Sequence, residues 1–304
     1  MEPLSAIAVR LDAFFRIEEF GPDPSFSRYI PQVYEAAGVD WQGIFEPEFV
    51  RRFNGLMLKG GESVGTVFCS VFPAPEVLDA FIERAAPGDM LFLHHPLDIE
   101  CGDPLGPLGR GFLPIAPEHL DTMRAKGLSF YACHAPMDTH PEVGTAAAIA
   151  RAIGARIEEG FWPDGDGHAG LICAIEPMTT HDLIALAKHL FDVTFVDIAG
   201  RMRNQISKVA IVAGAGYKVG EMRGVEAKGA QAYLTGEILD RIDNDDGRRL
   251  FREVEDFARG TTMSLIGVSH AASEYLVMKT QMIRWLKETF AVDVELIPLN
   301  RWWR

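Results

Sequence analysis

At 304 residues with 48% hydrophobic side chains, the chain has enough apolar content to bury one large or two ordinary α/β domains. Its net charge of −14, with no run of Lys or Arg longer than two, repels phosphate backbones and excludes nucleic acid as a partner class. Cys69, Cys101, Cys133 and Cys173 stand far apart, without the close pairing of a structural zinc site or a redox dithiol, and read as reduced thiols.

The first element is an amphipathic helix: Leu4, Ile7, Ala8, Leu11, Phe14 and Phe15 repeat at helical spacing. Glu2, Arg10 and Asp12 break up any apolar leader, so the segment is not a signal peptide. No apolar stretch approaches the roughly 18 residues that span a bilayer. A cytoplasmic protein without a membrane partner is expected.

Apolar strand candidates follow at 64–71, 90–93, 128–133, 208–212, 231–234 and 263–268, and helical stretches at 75–85 and 180–190 lie between them. That alternation predicts an α/β fold. The connection 96–117 holds five prolines and four glycines, a length without structure that suits a lid, a surface excursion or a subunit contact. A polar, glycine-rich stretch at 159–170 suggests a boundary, giving α/β halves at about 1–158 and 159–304.

Three strands end in residues with metal-binding chemistry. The strand 90–93 delivers His94 and His95 immediately before Pro96, at the end of a sheet strand where α/β folds form their sites. The strand 128–133 delivers His134 and Asp138. Thr139 and Glu142 have the spacing of a capping box for a helix running to about Ile153, which puts Asp138 just before a helix N-terminus. The strand 263–268 leads into a long helix, expected to run from His270 through Phe290, on which His270 and Glu274 share one face, one turn apart. Taken singly, each segment also fits a structural histidine, a helix-end acid or a surface pair. Together, imidazoles and carboxylates suit two divalent ions, zinc, iron, manganese, nickel or cobalt, with water completing the shell and supplying a nucleophile near neutral pH. The run Gly214-Ala215-Gly216 is a tight turn or a close approach to a phosphate, without P-loop spacing. His119, His140, His168, His181 and His189 have no partner spacing, and Trp302 and Trp303 suit a subunit contact or a frayed end.

The chain resembles the NIF-three-like family, also known as dinuclear-metal-centre hexameric proteins or GTP cyclohydrolase homologues. The resemblance is carried by Asn54-Gly55-Leu56, His94-His95-Pro96-Leu97, His134 with Asp138, Glu176-Pro177-Met178-Thr179, Gly214-Ala215-Gly216, Thr235-Gly236-Glu237, and His270 with Glu274. It implies two intertwined α/β halves with a dinuclear metal site in the cleft between them. The first half carries His94, His95, His134 and Asp138, and the second His270 and Glu274. The implied metal contacts are His94, His95, Asp138, His270 and Glu274, with Glu274 bridging and His134 close by, in a homohexamer. Where the family has Thr-Asn-Leu between its middle His and Asp, this chain has Ala135-Pro136-Met137. The function expected is hydrolysis of a small heterocyclic or amide substrate by a metal-bound hydroxide, with His134, or failing it Glu237, moving the proton. A non-catalytic metal carrier or metal-dependent regulator is the alternative.

Overall fold

The computed structural model describes residues 1–304. It is an α/β fold with two sheet-bearing compact units, each assembled from separate stretches of chain. The first takes in Met1–Ile99, Phe112–Met137 and Met278–Asn300, and the second Glu100–Gly111, Asp138–Val277 and Arg301–Arg304. No helix is long and apolar enough to cross a membrane.

The first unit is built on a five-stranded sheet. Its strands are β1 (Gly55–Leu58), β2 (Thr66–Ser70), β3 (Met90–Leu93), β4 (Ser129–Ala132) and the C-terminal strand Asp293–Leu296. The order is C-terminal strand, β2, β3, β4, β1, with all neighbours parallel except β1 and β4. Every residue of β3 and β4 is buried, and β3 has the continuous apolar run of a parallel strand covered on both faces. The helix Leu4–Phe14 buries Leu4, Ile7 and Leu11 as its spacing predicts. Pro75–Arg84 and Pro117–Ala125 both start on a proline, whose fixed φ suits the first helical position.

The second unit holds a six-stranded sheet made of β5 (Arg156–Asp164), β6 (Gly167–Met178), β7 (Asp197–Gly200), β8 (Ile206–Ala215), β9 (Ala232–Glu237) and β10 (Ser264–Gly267), in the order β7-β10-β9-β8-β6-β5. β8, β9 and β10 run parallel. Alternate residues feed two cores: Val209, Ile211, Leu234 and Ile266 pack with Leu183, Phe191 and Leu276 on one face. Ala210, Val212, Tyr233 and Leu265 pack with Met222, Val254 and Phe257 on the other. This is the two-residue period of a pleated strand, written in sequence and used on both sides.

Several local expectations change. The polar stretch at 159–170 is a β-hairpin, with Gly165 at φ +52 in its turn. Position 158, where the sequence suggested a division, lies inside β5. The Thr139/Glu142 capping box does not form, because the helix begins only at Thr145 with Gly144 as its cap. Pro141 disfavours helix at the residue before it, and His140 Nδ1 accepts the backbone N–H groups of Glu142 and Val143 at 3.2 Å. The expected helix from His270 is α-helical over His270–Val277, then passes through a π-helical turn, Met278–Met282, where the chain re-enters the first unit, before Ile283–Thr289. Residues 100–111 of the proline-rich connection are tied to the second unit: Gly109 N–H donates to Arg241 O and Gly109 O accepts from Asp243 N–H. The C-terminus packs as well, with Trp303 stacked on Phe195 at 5.4 Å.

Candidate metal centre

In the first unit the parallel pairing of β3 with β4 decides which histidines meet. Leu93 pairs with Ala132, so the residues that follow each strand, His94 and His95 on one side and His134 on the other, leave the sheet at the same edge. Donor atoms of the three imidazoles lie within 4.8 Å of one another. His94 is fully buried, and its Nδ1–H donates to Cys133 O at 2.9 Å. A carbonyl only accepts, so this bond fixes the tautomer and leaves Nε2 as the atom suited to a metal. The ring of His95 is held edge-on by Phe72 at 4.7 Å and Phe26 at 5.5 Å.

His134 is fixed by residues that the sequence did not single out for this role. Its Nδ1 bonds to Asp23 Oδ2 at 2.9 Å, its backbone N–H donates to Asn54 Oδ1 at 2.8 Å, and Phe26 meets its ring edge-on at 4.7 Å. Burial alone would raise the Asp23 pKa, but His134 and the backbone N–H groups of Phe26 and Ala135 outweigh it and hold the carboxyl down at about 2.

In the second unit the ends of β8, β9 and β10 supply Gly214, Glu237 and, one residue beyond Ser269, His270. Donor atoms of Cys101, Glu237 and His270 lie within 4.8 Å of one another. His270 Nδ1 faces Glu237 Oε2 at 3.2 Å and Cys101 Sγ at 3.4 Å, while its Nε2 lies 3.0 Å from Glu274 Oε1. The i, i+4 spacing therefore acts as expected, one helical turn aligning the two donors. Burial opposes a charge on His270, yet Glu274, Cys101 and Glu237 outweigh it and hold its pKa well above the ordinary value. Excess negative charge around buried imidazole is an environment that a divalent cation neutralises.

Gly214 is the residue that makes space for this pair. Its φ of +65 belongs to the left-handed region, and a Cβ there would lie 2.5 Å from Glu274 Oε1 and 2.9 Å from His270 Nε2. The glycine is held from both sides, by Ser273 Oγ on its N–H at 2.9 Å and Thr235 Oγ1 on its carbonyl at 3.3 Å. The run lies where the register of β8 on β9 shifts between Val212 and Ala215, and the missing side chain of Gly214 leaves room for two metal-type donors. Asp138 is half-buried in the same unit, its Oδ1 accepting from Thr145 Oγ1 at 2.6 Å.

Of the residues picked out from the sequence, His94, His95, His134 and Glu237 stand at or just beyond strand ends, Asp138 ends the short helix Ala135–Asp138, and His270 and Glu274 lie one turn apart on the helix His270–Val277. Those missed are Asp23, Cys101 and the ring of Phe26. Asp23 lies 111 residues from His134 in the chain, and Cys101 sits in a loop whose composition points only to irregular structure; neither has a local signal. The other histidines hold structural roles where their contacts are defined: His119 pairs with Asp79 at 2.8 Å, and His140 caps the turn described above.

Two α/β units with buried clusters of His, Cys and Glu define a metal-binding protein. A sequence profile for Duf34/NIF3 (NGG1p interacting factor 3) matches residues 51–301, and the chain belongs to that family. It is 24% identical over 261 residues to a GTP cyclohydrolase 1 type 2 homolog of Vibrio cholerae, covering 84% of this chain and 93% of that one. A homolog of the same name from Archaeoglobus fulgidus is 31% identical over 187 residues, covering 60% of this chain and 69% of its own. Among solved structures, TTHA1606 from Thermus thermophilus superposes with a TM-score of 0.62 at 19% identity, over 98% of this chain and 100% of that one, which is a likeness of fold.

Proposed function

We propose that the chain is a hydrolase dependent on two divalent metal ions, held by His94, His95, Asp138, His270 and Glu274 with Glu274 shared between them. The observation that carries this reading is the buried His270–Glu274 pair set against Gly214, where donor atoms 3.0 Å apart face a position cleared of side chain. When bound, such ions lower the pKa of coordinated water and polarise the oxygen of a substrate. The residues around them supply the rest. Cys133 O and Glu237 fix the orientations of His94 and His270 through their Nδ1 atoms, the outer contacts that tune metal affinity. His134 passes a proton to the leaving nitrogen, with Glu237 the next candidate for that task.

The substrate class is a small heterocyclic or amide compound. The name shared by the curated relatives, homologues of a GTP cyclohydrolase, points toward hydrolysis of a nitrogen heterocycle. The assembly proposed with this function is a cytoplasmic homohexamer, to be checked by light scattering against the chain mass of 33.6 kDa. Metal analysis after loading with excess zinc or manganese tests the centre: two ions per chain are expected, and Glu274→Ala should disturb both. One ion or none in the loaded wild-type protein overturns the dinuclear reading. His134→Gln should keep its metals while turnover of the substrate, identified by metabolite depletion, falls by about 10² to 10⁴. Asp138→Ala should lose metal and activity together.

A further inference from the structure

Asp23 is a fully buried carboxylate whose two oxygens serve different ends. Oδ1 accepts the backbone N–H groups of Ser25 and Phe26, each at 2.9 Å, and so shapes the turn that starts the helix Phe26–Ala36. Oδ2 faces the other way. It takes His134 Nδ1 at 2.9 Å, Ala135 N–H at 3.2 Å and Asn54 Nδ2 at 3.5 Å.

A turn alone needs only the first oxygen, a task that serine or asparagine performs as well. Burying a full charge is costly unless it is hydrogen-bonded and paired, so the second oxygen and its partner ask for a separate reason. Asp23 and Phe26 both precede residue 51, where the match to the family profile begins. The N-terminal segment of this chain therefore supplies both the carboxylate and the ring edge that fix His134.

We infer that Asp23 is the positioning residue of His134, holding the neutral ring in the Nδ1–H tautomer so that Nε2 is the nitrogen that exchanges protons with the reacting atoms. This rests on the hydrolase reading given above. Within it, Nε2 takes a proton from the attacking water and gives it to the leaving nitrogen, while the Nδ1 proton stays on the ring, against Asp23. The imidazolium formed in between is stabilised by the adjacent carboxylate, as a buried Asp does for a catalytic histidine.

The test is the tautomer itself, read by magic-angle-spinning nitrogen spectra of the full-length protein labelled at histidine, at about pH 8, where an ordinary imidazole is neutral. The His134 signals are assigned by their loss in His134→Gln. Wild-type protein should show a protonated Nδ1 together with an unprotonated Nε2. Asp23→Ser keeps a side-chain oxygen for the turn but withdraws the arm that reaches His134, so the Nδ1 proton signal should be lost in favour of Nε2–H, with metal content unchanged. A wild-type ring with an unprotonated Nδ1, or with both nitrogens protonated, overturns the inference, and so does an unchanged spectrum in a folded Asp23→Ser. If that variant fails to fold, the wild-type spectrum still decides. The tautomer requires neither metal nor substrate, so a protein that binds no metal would sink the hydrolase reading and leave the positioning result standing.

Discussion

Gly214→Ala separates the space a metal site needs from the backbone freedom a glycine gives. The added methyl would stand 2.5 Å from Glu274 Oε1 and 2.9 Å from His270 Nε2. An ordinary contact requires roughly 3.5 Å, so the carboxylate must retreat by about 1 Å. Oε1 is the far end of the Glu274 side chain, so the carboxylate can turn away without moving the backbone. The left-handed φ of +65 adds about 1 kcal/mol for alanine, which lowers the melting temperature of a unit this size by about 2–4 °C. Metal binding suffers more, because a displaced donor is lost to the ion: zinc affinity should fall about 10- to 100-fold, the range for disturbing the surroundings of a ligand. Gly154→Ala is the control, since Gly154 has φ +67 and nothing within 4 Å of its would-be Cβ. It carries the backbone cost without the collision. Competition with a chromophoric chelator measures zinc affinity and thermal melts measure stability. The reasoning fails if Gly214→Ala binds zinc as tightly as Gly154→Ala does.

Glu237→Ala should weaken zinc binding by about 10-fold or more, because His270 Nδ1 loses its carboxylate acceptor. Cys101→Ser should have a smaller effect, sulfur being a weak partner at 3.4 Å, and the reverse order in chelator competition would show that the thiol is the principal contact. Acid stability should report Asp23. Its pKa, depressed to about 2, means the stabilisation is fully present above the ordinary carboxylate range near pH 4 and is lost as pH falls through about 2. The drop of nearly two units corresponds to about 2.5 kcal/mol. Urea midpoints of wild type and Asp23→Ser should therefore differ at pH 5 and draw together below pH 3; a gap that stays constant with pH would mean that the charge of Asp23 does not contribute.

Sequence alone determined the elements and the chemistry at their ends. The apolar run of β3, the helical spacing of Leu4, Ile7 and Leu11, and the four-residue step from His270 to Glu274 are local patterns, and local sterics and burial are enough to express them. The resemblance to the family was legible for the same reason, resting on short motifs at strand ends. Elsewhere local patterns misled. The glycines and acids at 159–170 signalled a break in the fold and formed a hairpin turn, because a polar loop and a polar turn share one composition. Thr139 and Glu142 matched a capping box that Pro141 and the side chain of His140 pre-empted.

Only the tertiary structure decided who stands beside whom. The parallel pairing of β3 with β4 brings His134 to His94 and His95, and that of β8, β9 and β10 brings Gly214, Glu237 and His270 to one edge. Asp23 reaches His134 from 111 residues away. Such contacts leave no periodicity in the chain, since they depend on strand order and register rather than on the neighbours of any one residue.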